Sequence, residues 1–141
     1  IGCGMALSSL LLNSRHADIT ATDYHPEAGN FLAENVRLNQ GRSIPFLRTD
    51  WGNTNDGLGM FDVLIGSDVL YERGHIDLLS QFIERHAKPK CDVILVDPGR
   101  GNHAPFTKKM IRLGYDHSQE TVEKSAIEQV FKGTILTYSR A

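Results

Sequence analysis

Short apolar runs, each closed by an aspartate, alternate along this chain with segments of helical periodicity. Residues 18–22 lead into Asp23, residues 45–49 into Asp50-Trp51, residues 61–66 into Ser67-Asp68, and residues 91–96 into Asp97. Between and after them, residues 5–15, 26–39, 74–86 and 103–113 carry apolar side chains at helical spacing. The runs 61–66 (FDVLIG) and 91–96 (CDVILV) are almost continuously apolar, the pattern of a parallel strand buried on both faces. A β-α-β-α order of this kind predicts a doubly wound, mostly parallel sheet with helices on both faces.

Local chemistry punctuates the pattern. Pro26 suits the first turn of a helix and Glu27 its positive end, with Phe31, Leu32, Val36 and Leu38 as the apolar positions that follow. Leu7, Leu10 and Leu11 mark one face of the first helix, and Ile76, Leu79, Phe82 and Ile83 the inner side of the third. Lys88-Pro89 predicts the end of that third helix, and Gly114 the cap of the fourth. The tail holds two strand candidates, 115–122 and 133–139, separated by residues 123–132 as a turn of helix or a loop. No helix of crossover length lies between them, so they are expected to form an antiparallel pair at the sheet edge. There is no repeat and no second hydrophobic unit, so residues 1–141 read as one domain. The chain opens on Ile1-Gly2-Cys3-Gly4. A glycine turn normally follows a strand, so the expected domain begins inside its first strand and lacks its N-terminal part.

Composition narrows the function. With 40% hydrophobic residues the chain has the material for a core. Its net charge of -2 gives no bulk attraction to nucleic acid. No apolar run approaches the ~20 residues that span a bilayer. Cys3 and Cys91 stand apart from any CxxC pair and beside strands, which reads as two buried free thiols in a reducing cytoplasm. The six histidines form no HxH, HxxxH or HExxH pattern, so no metal site is expected.

In a parallel α/β sheet, ligands bind beyond the carboxyl ends of the strands. The residues there are Gly2-Cys3-Gly4, Asp23, Asp50-Trp51, Ser67-Asp68 and Asp97. Aspartate also occurs at strand ends simply to start a turn or cap a helix, and it is the recurrence at four ends that carries weight. Two glycines in a GxG turn let a backbone approach a ligand closely, although a plain tight turn uses them too. Asp23 follows Gly4 by 19 residues, a spacing at which a carboxylate reaches the hydroxyls of a ribose. Leu7 stands where a dinucleotide fingerprint needs its third glycine, which disfavours a nicotinamide cofactor. Together with Asp50-Trp51, the set suits an adenosine without a pyrophosphate. Trp51 either packs on the adenine or belongs to the core.

The segment Ser67-Asp68-Val69-Leu70-Tyr71-Glu72 makes the pattern more specific. The chain resembles the class I, seven-strand methyltransferases, which share a Rossmann-like fold. Within them it resembles the methyltransferase-like protein-lysine methyltransferases, marked by a DxxY motif after their fourth strand. Asp68-Val69-Leu70-Tyr71 matches that motif, Gly2-Cys3-Gly4 the glycine motif, Asp23 the ribose acid, and Asp50-Trp51-Gly52 the DWG-type motif. Asp97-Pro98-Gly99-Arg100 is similar to the DPGR seen in some members, including those that modify the electron-transfer flavoprotein β subunit.

The resemblance implies S-adenosyl-L-methionine as cofactor, held by Gly2, Cys3, Gly4, Asp23, Tyr24, Asp50, Trp51 and Ser67, and catalysis by Asp68 and Tyr71. It implies a protein substrate, with no nucleic acid or membrane partner expected. Asp68 is expected to hold the acceptor amine, or else to cap the next turn. Three rival readings stand beside this one: a small-molecule methyltransferase, a nicotinamide-dependent oxidoreductase on a similar sheet, and a non-catalytic scaffold of the same fold.

Overall fold

The computed structural model describes residues 1–122 and 132–141. They fall into two compact units, Ile1–Asp56 and Gly57–Ala141.

The first unit contains α1 (Leu7–Ser14), β1 (Ala21–Asp23), α2 (Ala28–Leu38) and β2 (Phe46–Arg48). β1 and β2 pair in parallel, Ala21 beside Phe46 and Asp23 beside Arg48. The amide of Cys3 donates to the carbonyl of Thr22 at 2.9 Å, so the opening residues lie along β1. Ala6, Ala21, Leu32, Val36 and Ile44 form the core, with Cys3, Leu10, Ile19 and Phe46 packed against it.

The inward faces of both helices differ from the expected ones. In α1, Leu7 is 80% and Leu11 52% exposed. The inward line is Ala6, Leu10 and Asn13, at spacings of four and three. Buried Asn13 is satisfied by donating its Nδ2 to the Arg42 carbonyl at 2.7 Å. In α2 the line is Ala28, Leu32 and Val36, while Phe31 and Leu38 face outward. Both helices end in the same way: the second residue past the helix turns left-handed, and its amide and the next one fold back onto the last turn. Here His16 (φ 62°) and Gln40 (φ 52°) fill the position that glycine usually takes.

The second unit contains β3 (Phe61–Ser67), α3 (His75–His86), β4 (Ala87–Asp97), α4 (His103–Arg112), β5 (Asp116–Val122) and β6 (Gly133–Arg140). Its sheet runs β3-β4-β6-β5. β3 is parallel to β4, and β6 is antiparallel to both β4 and β5. The antiparallel end of the sheet is as the tail pattern predicts; residues 123–131 between those strands lie outside the described residues. Leu64, Val93, Leu95, Leu136 and Tyr138 are buried on one face. α4 covers that face, with Phe106 edge-on to Tyr138 at 5.5 Å, and α3 packs beside α4. The aromatic ring of His117 stacks on Tyr138 at 4.8 Å.

Two local expectations are corrected. β3 is the outer strand of this unit's sheet; Val63 is half exposed and Leu64 is its one buried residue, so its apolar run does not mean burial on both faces here. β4 begins immediately after α3 and runs through Lys88-Pro89. The ladder steps from Phe61 opposite Ala87 to Val63 opposite Asp92, and Pro89 sits in that irregularity, where no ladder amide is needed. Gly114 (φ 89°) does close α4, with its own amide and that of Tyr115 donating back to Ile111 and Met110.

Candidate active site

In the first unit, the parallel pairing of β1 and β2 brings Asp23-Tyr24 and Asp50-Trp51 to the same end, and the glycine turn reaches that end from beside β1. Gly2 (φ 57°) and Gly4 (φ 51°) adopt left-handed backbone, as the motif leads one to expect. Ala6 (φ 65°) does so too, and it is the residue on which α1 starts. Sequence reading missed it, because alanine does not advertise that conformation.

Asp23 is half exposed and organises the turn. Its Oδ2 accepts the amide of Gly4 at 2.8 Å and its Oδ1 the amide of His25 at 2.9 Å. Each oxygen keeps a further lone-pair site for a ligand hydroxyl. Asp50 is committed locally: its Oδ1 accepts the amides of Gly52 at 2.7 Å and Asn53 at 2.9 Å, fixing the tight turn that carries half-buried Trp51. Tyr24 is 66% exposed, its carbonyl accepting from Arg48 Nε at 3.0 Å and its ring 5.7 Å from the Arg48 guanidinium. Cys3 is half-buried rather than fully buried; burial, then the charge of Asp23, raises its thiol above the ordinary range. A side-chain-free Gly4 with nothing within 4 Å of where its Cβ would stand, beside a carboxylate with spare acceptor sites, fits a ribose-bearing ligand.

In the second unit, exposed Ser67 ends β3 and Asp68 follows in left-handed backbone (φ 54°). Aspartate is among the few residues that tolerate this. The Asp68 amide donates to the Val96 carbonyl at 2.8 Å, and the next two residues, Val69 and Leu70, are buried. The strand end is thereby anchored and the carboxylate turned outward. Both oxygens of that carboxylate are engaged by a side chain from the next strand end. Arg100 grips it with both arms of its guanidinium, Nε to Oδ1 at 2.9 Å and Nη2 to Oδ2 at 2.6 Å, and holds the Asp68 carboxyl below the usual carboxylate range. Tyr71 is 55% exposed, with its ring edge-on to His75 at 4.6 Å. Asn102, just before α4, donates to the Leu70 carbonyl at 2.8 Å and ties this loop to the helix start. Asp97, buried at the end of β4, accepts the Gly99 amide at 3.2 Å and lies 3.4 Å from His103 Nδ1. Arg100 was visible in the sequence as part of a motif, but its partner 32 residues upstream was not.

Residues 1–112 match the model of a family described as lysine methyltransferase. The chain belongs to the lysine methyltransferase family. No curated protein matches this methyltransferase significantly. Among solved structures it is similar to a methyltransferase from Pyrococcus furiosus, at 20% identity and a TM-score of 0.78 over 100% of this chain and 73% of that one. It is also similar to magnesium protoporphyrin IX methyltransferase from Synechocystis PCC 6803 with bound SAM, at 20% identity and a TM-score of 0.75 over 99% and 67% of the two chains. A ribosomal protein L11 methylase from Lactobacillus delbrueckii subsp. bulgaricus gives 17% identity and a TM-score of 0.72 over 99% and 68%. At these identities the likeness is one of fold, the Rossmann-like methyltransferase fold. The family, with neighbours that carry SAM or SAH, supports S-adenosylmethionine as the cofactor. No helix among the described residues is long and apolar enough to cross a membrane.

Proposed function

We propose that residues 1–141 act in the cytoplasm as one S-adenosylmethionine-binding domain that methylates the side-chain amine of a lysine in a protein substrate. The observation that carries this reading is Asp68: a carboxylate half exposed at a strand end, its backbone fixed, already presented to a cationic side chain, and followed three residues later by exposed Tyr71.

S-adenosylmethionine, when bound, supplies the methyl group at its sulfonium. In this reading the free acceptor sites of Asp23 take the ribose hydroxyls, and the side-chain-free Gly2 and Gly4 with Cys3 let the backbone come close. Trp51 offers an apolar face to the adenine, and Tyr24, Asp50 and Ser67 complete the cofactor side. The acceptor lysine must lose its proton. With an ordinary pKa of ~10.4 the neutral form near pH ~7 costs ~4–5 kcal/mol, which an apolar channel reduces by disfavouring the ammonium. Asp68 accepts a hydrogen bond from the amine and orients it, while Tyr71 shapes the channel with its ring and hydroxyl. In the free protein Arg100 holds the Asp68 carboxyl below its ordinary range, and a carboxylate is far too weak a base for an ammonium, so the work of Asp68 is orientation rather than proton removal.

The test is transfer of labelled methyl from S-adenosylmethionine into a cell extract by the purified protein, with the labelled species identified. Label on protein lysine is expected. Label on a small molecule would move the reading to a small-molecule methyltransferase. Asp68→Ala is expected to bind S-adenosylhomocysteine normally and lose turnover; retained turnover would refute the role given to Asp68.

A further inference from the structure

The carboxylate assigned to the substrate amine is already occupied. Arg100 and Asp68 form a two-pronged pair of 2.9 and 2.6 Å, with side chains 50% and 41% exposed. The two partners are held very differently. Asp68 is fixed by the hydrogen bond from its amide to the Val96 carbonyl and by buried Val69 and Leu70 behind it. Arg100 stands between Gly99 (φ 100°) and Gly101 (φ 82°), and at neither glycine would a Cβ meet any atom within 4 Å. An anchored anion thus faces a cation set between two glycines in left-handed backbone.

We propose that Arg100 is an internal stand-in for the substrate's cationic side chain, occupying Asp68 in the free protein until an incoming lysine ammonium displaces it. The proposal rests on the reading of Asp68 as the group that receives the amine. Exchanging one cation for another keeps the carboxylate paired while the substrate arrives, so the cost of an unpaired charge is not met at the binding step. A neutral or acidic side chain cannot make the exchange, so the pair selects acceptors by charge before any chemistry. The exposed pair is screened by water and holds weakly, as a displaceable contact must. The displaced guanidinium has a second anion close by: the charge of Asp97 already acts on Arg100, and Asp97 Oδ1 is buried without a hydrogen-bond partner among the described residues.

The experiment is an NMR titration of the whole protein, bound to S-adenosylhomocysteine, with Nα-acetyl-lysine methylamide, and with the norleucine equivalent as a neutral control. The lysine probe is expected to move the Arg100 Nε–H resonance, and the norleucine probe to leave it in place. Arg100→Gln is expected to bind the lysine probe about two- to fivefold more tightly, the range of an exposed ion pair. Equal or weaker binding by Arg100→Gln, or an Arg100 resonance that ignores the lysine probe, overturns the stand-in role while the reading of Asp68 survives. Undiminished binding of the lysine probe by Asp68→Asn overturns that reading itself.

Discussion

The Gly4 amide donates to Asp23 Oδ2 at 2.8 Å, joining a glycine turn to a strand end 19 residues later. One carboxylate therefore shapes the turn and offers its remaining acceptor sites to a ligand. Asp23→Ala removes acceptors for two amides and is expected to destabilise the protein by about 1–2 kcal/mol. It should also weaken S-adenosylhomocysteine binding at least about tenfold, the scale of one lost charge-assisted hydrogen bond. Asp23→Asn keeps one acceptor oxygen and should fall between on both counts. Denaturation and calorimetric titration measure the two effects separately.

The pairing of Asp68 with Arg100 predicts a pH dependence of stability with a definite sign. The folded-state carboxyl lies below its ordinary range because Arg100 bonds the ionised form. Its stabilisation is therefore fully present above about pH 4, where an unfolded aspartate is ionised, and is lost as pH falls through the lowered folded value. The effect is small, since both side chains are about half exposed. Urea denaturation of Asp68→Asn beside the parent should show a modest gap at pH 6 that closes in acid and shrinks in high salt.

Ala6 combines a left-handed backbone with a methyl group buried in the first unit's core. Replacing a buried alanine by glycine ordinarily destabilises. Here the relief of about 1–2 kcal/mol of backbone strain offsets the lost methyl and the extra freedom of the unfolded chain. Ala6→Gly is accordingly expected within about 1 kcal/mol of the parent. Ala6→Val adds a branched side chain at the same φ and should cost more than about 2 kcal/mol. Thermal denaturation of the two variants makes the comparison.

Tyr138 shares a 2.8 Å hydrogen bond with Thr107 deep in the second unit. Burial pushes its phenol up to about 12, with the nearby charge of Asp97 adding to the shift and the bond to Thr107 opposing it. The unfolded phenol ionises near ~10, so stability from this group is complete below that pH and is lost as pH rises from there through about 12. Tyr138→Phe should cost about 1 kcal/mol at neutral pH and flatten part of the alkaline transition. Denaturation from pH 8 upward tests both.

The order of strands and helices was legible because hydrophobic periodicity is a local property, and so were the strand ends that carry Asp23, Asp50 and Asp68. The facing of the helices was less so. Leu7 and Leu11 satisfy a helical stripe as well as Leu10 does, and only the packing of Ala6, Leu10 and Asn13 decides which stripe turns inward. Pro89 read as a terminator because a proline's effect on a strand depends on whether its neighbour asks for an amide at that point. Arg100 stayed hidden for a related reason. A side chain's partner 32 residues away is set by topology, and no local pattern encodes it.

β6 follows β3, β4 and β5 in sequence but lies inside their sheet, flanked by β4 and β5, with Leu136 and Tyr138 fully buried. During translation β4 and β5 therefore both wait for the neighbour that comes between them, each with an open row of amides and carbonyls. A nascent chain in that state is sticky toward its own kind, and a ribosome that stalls before residue 133 leaves a product able to pair only with strangers.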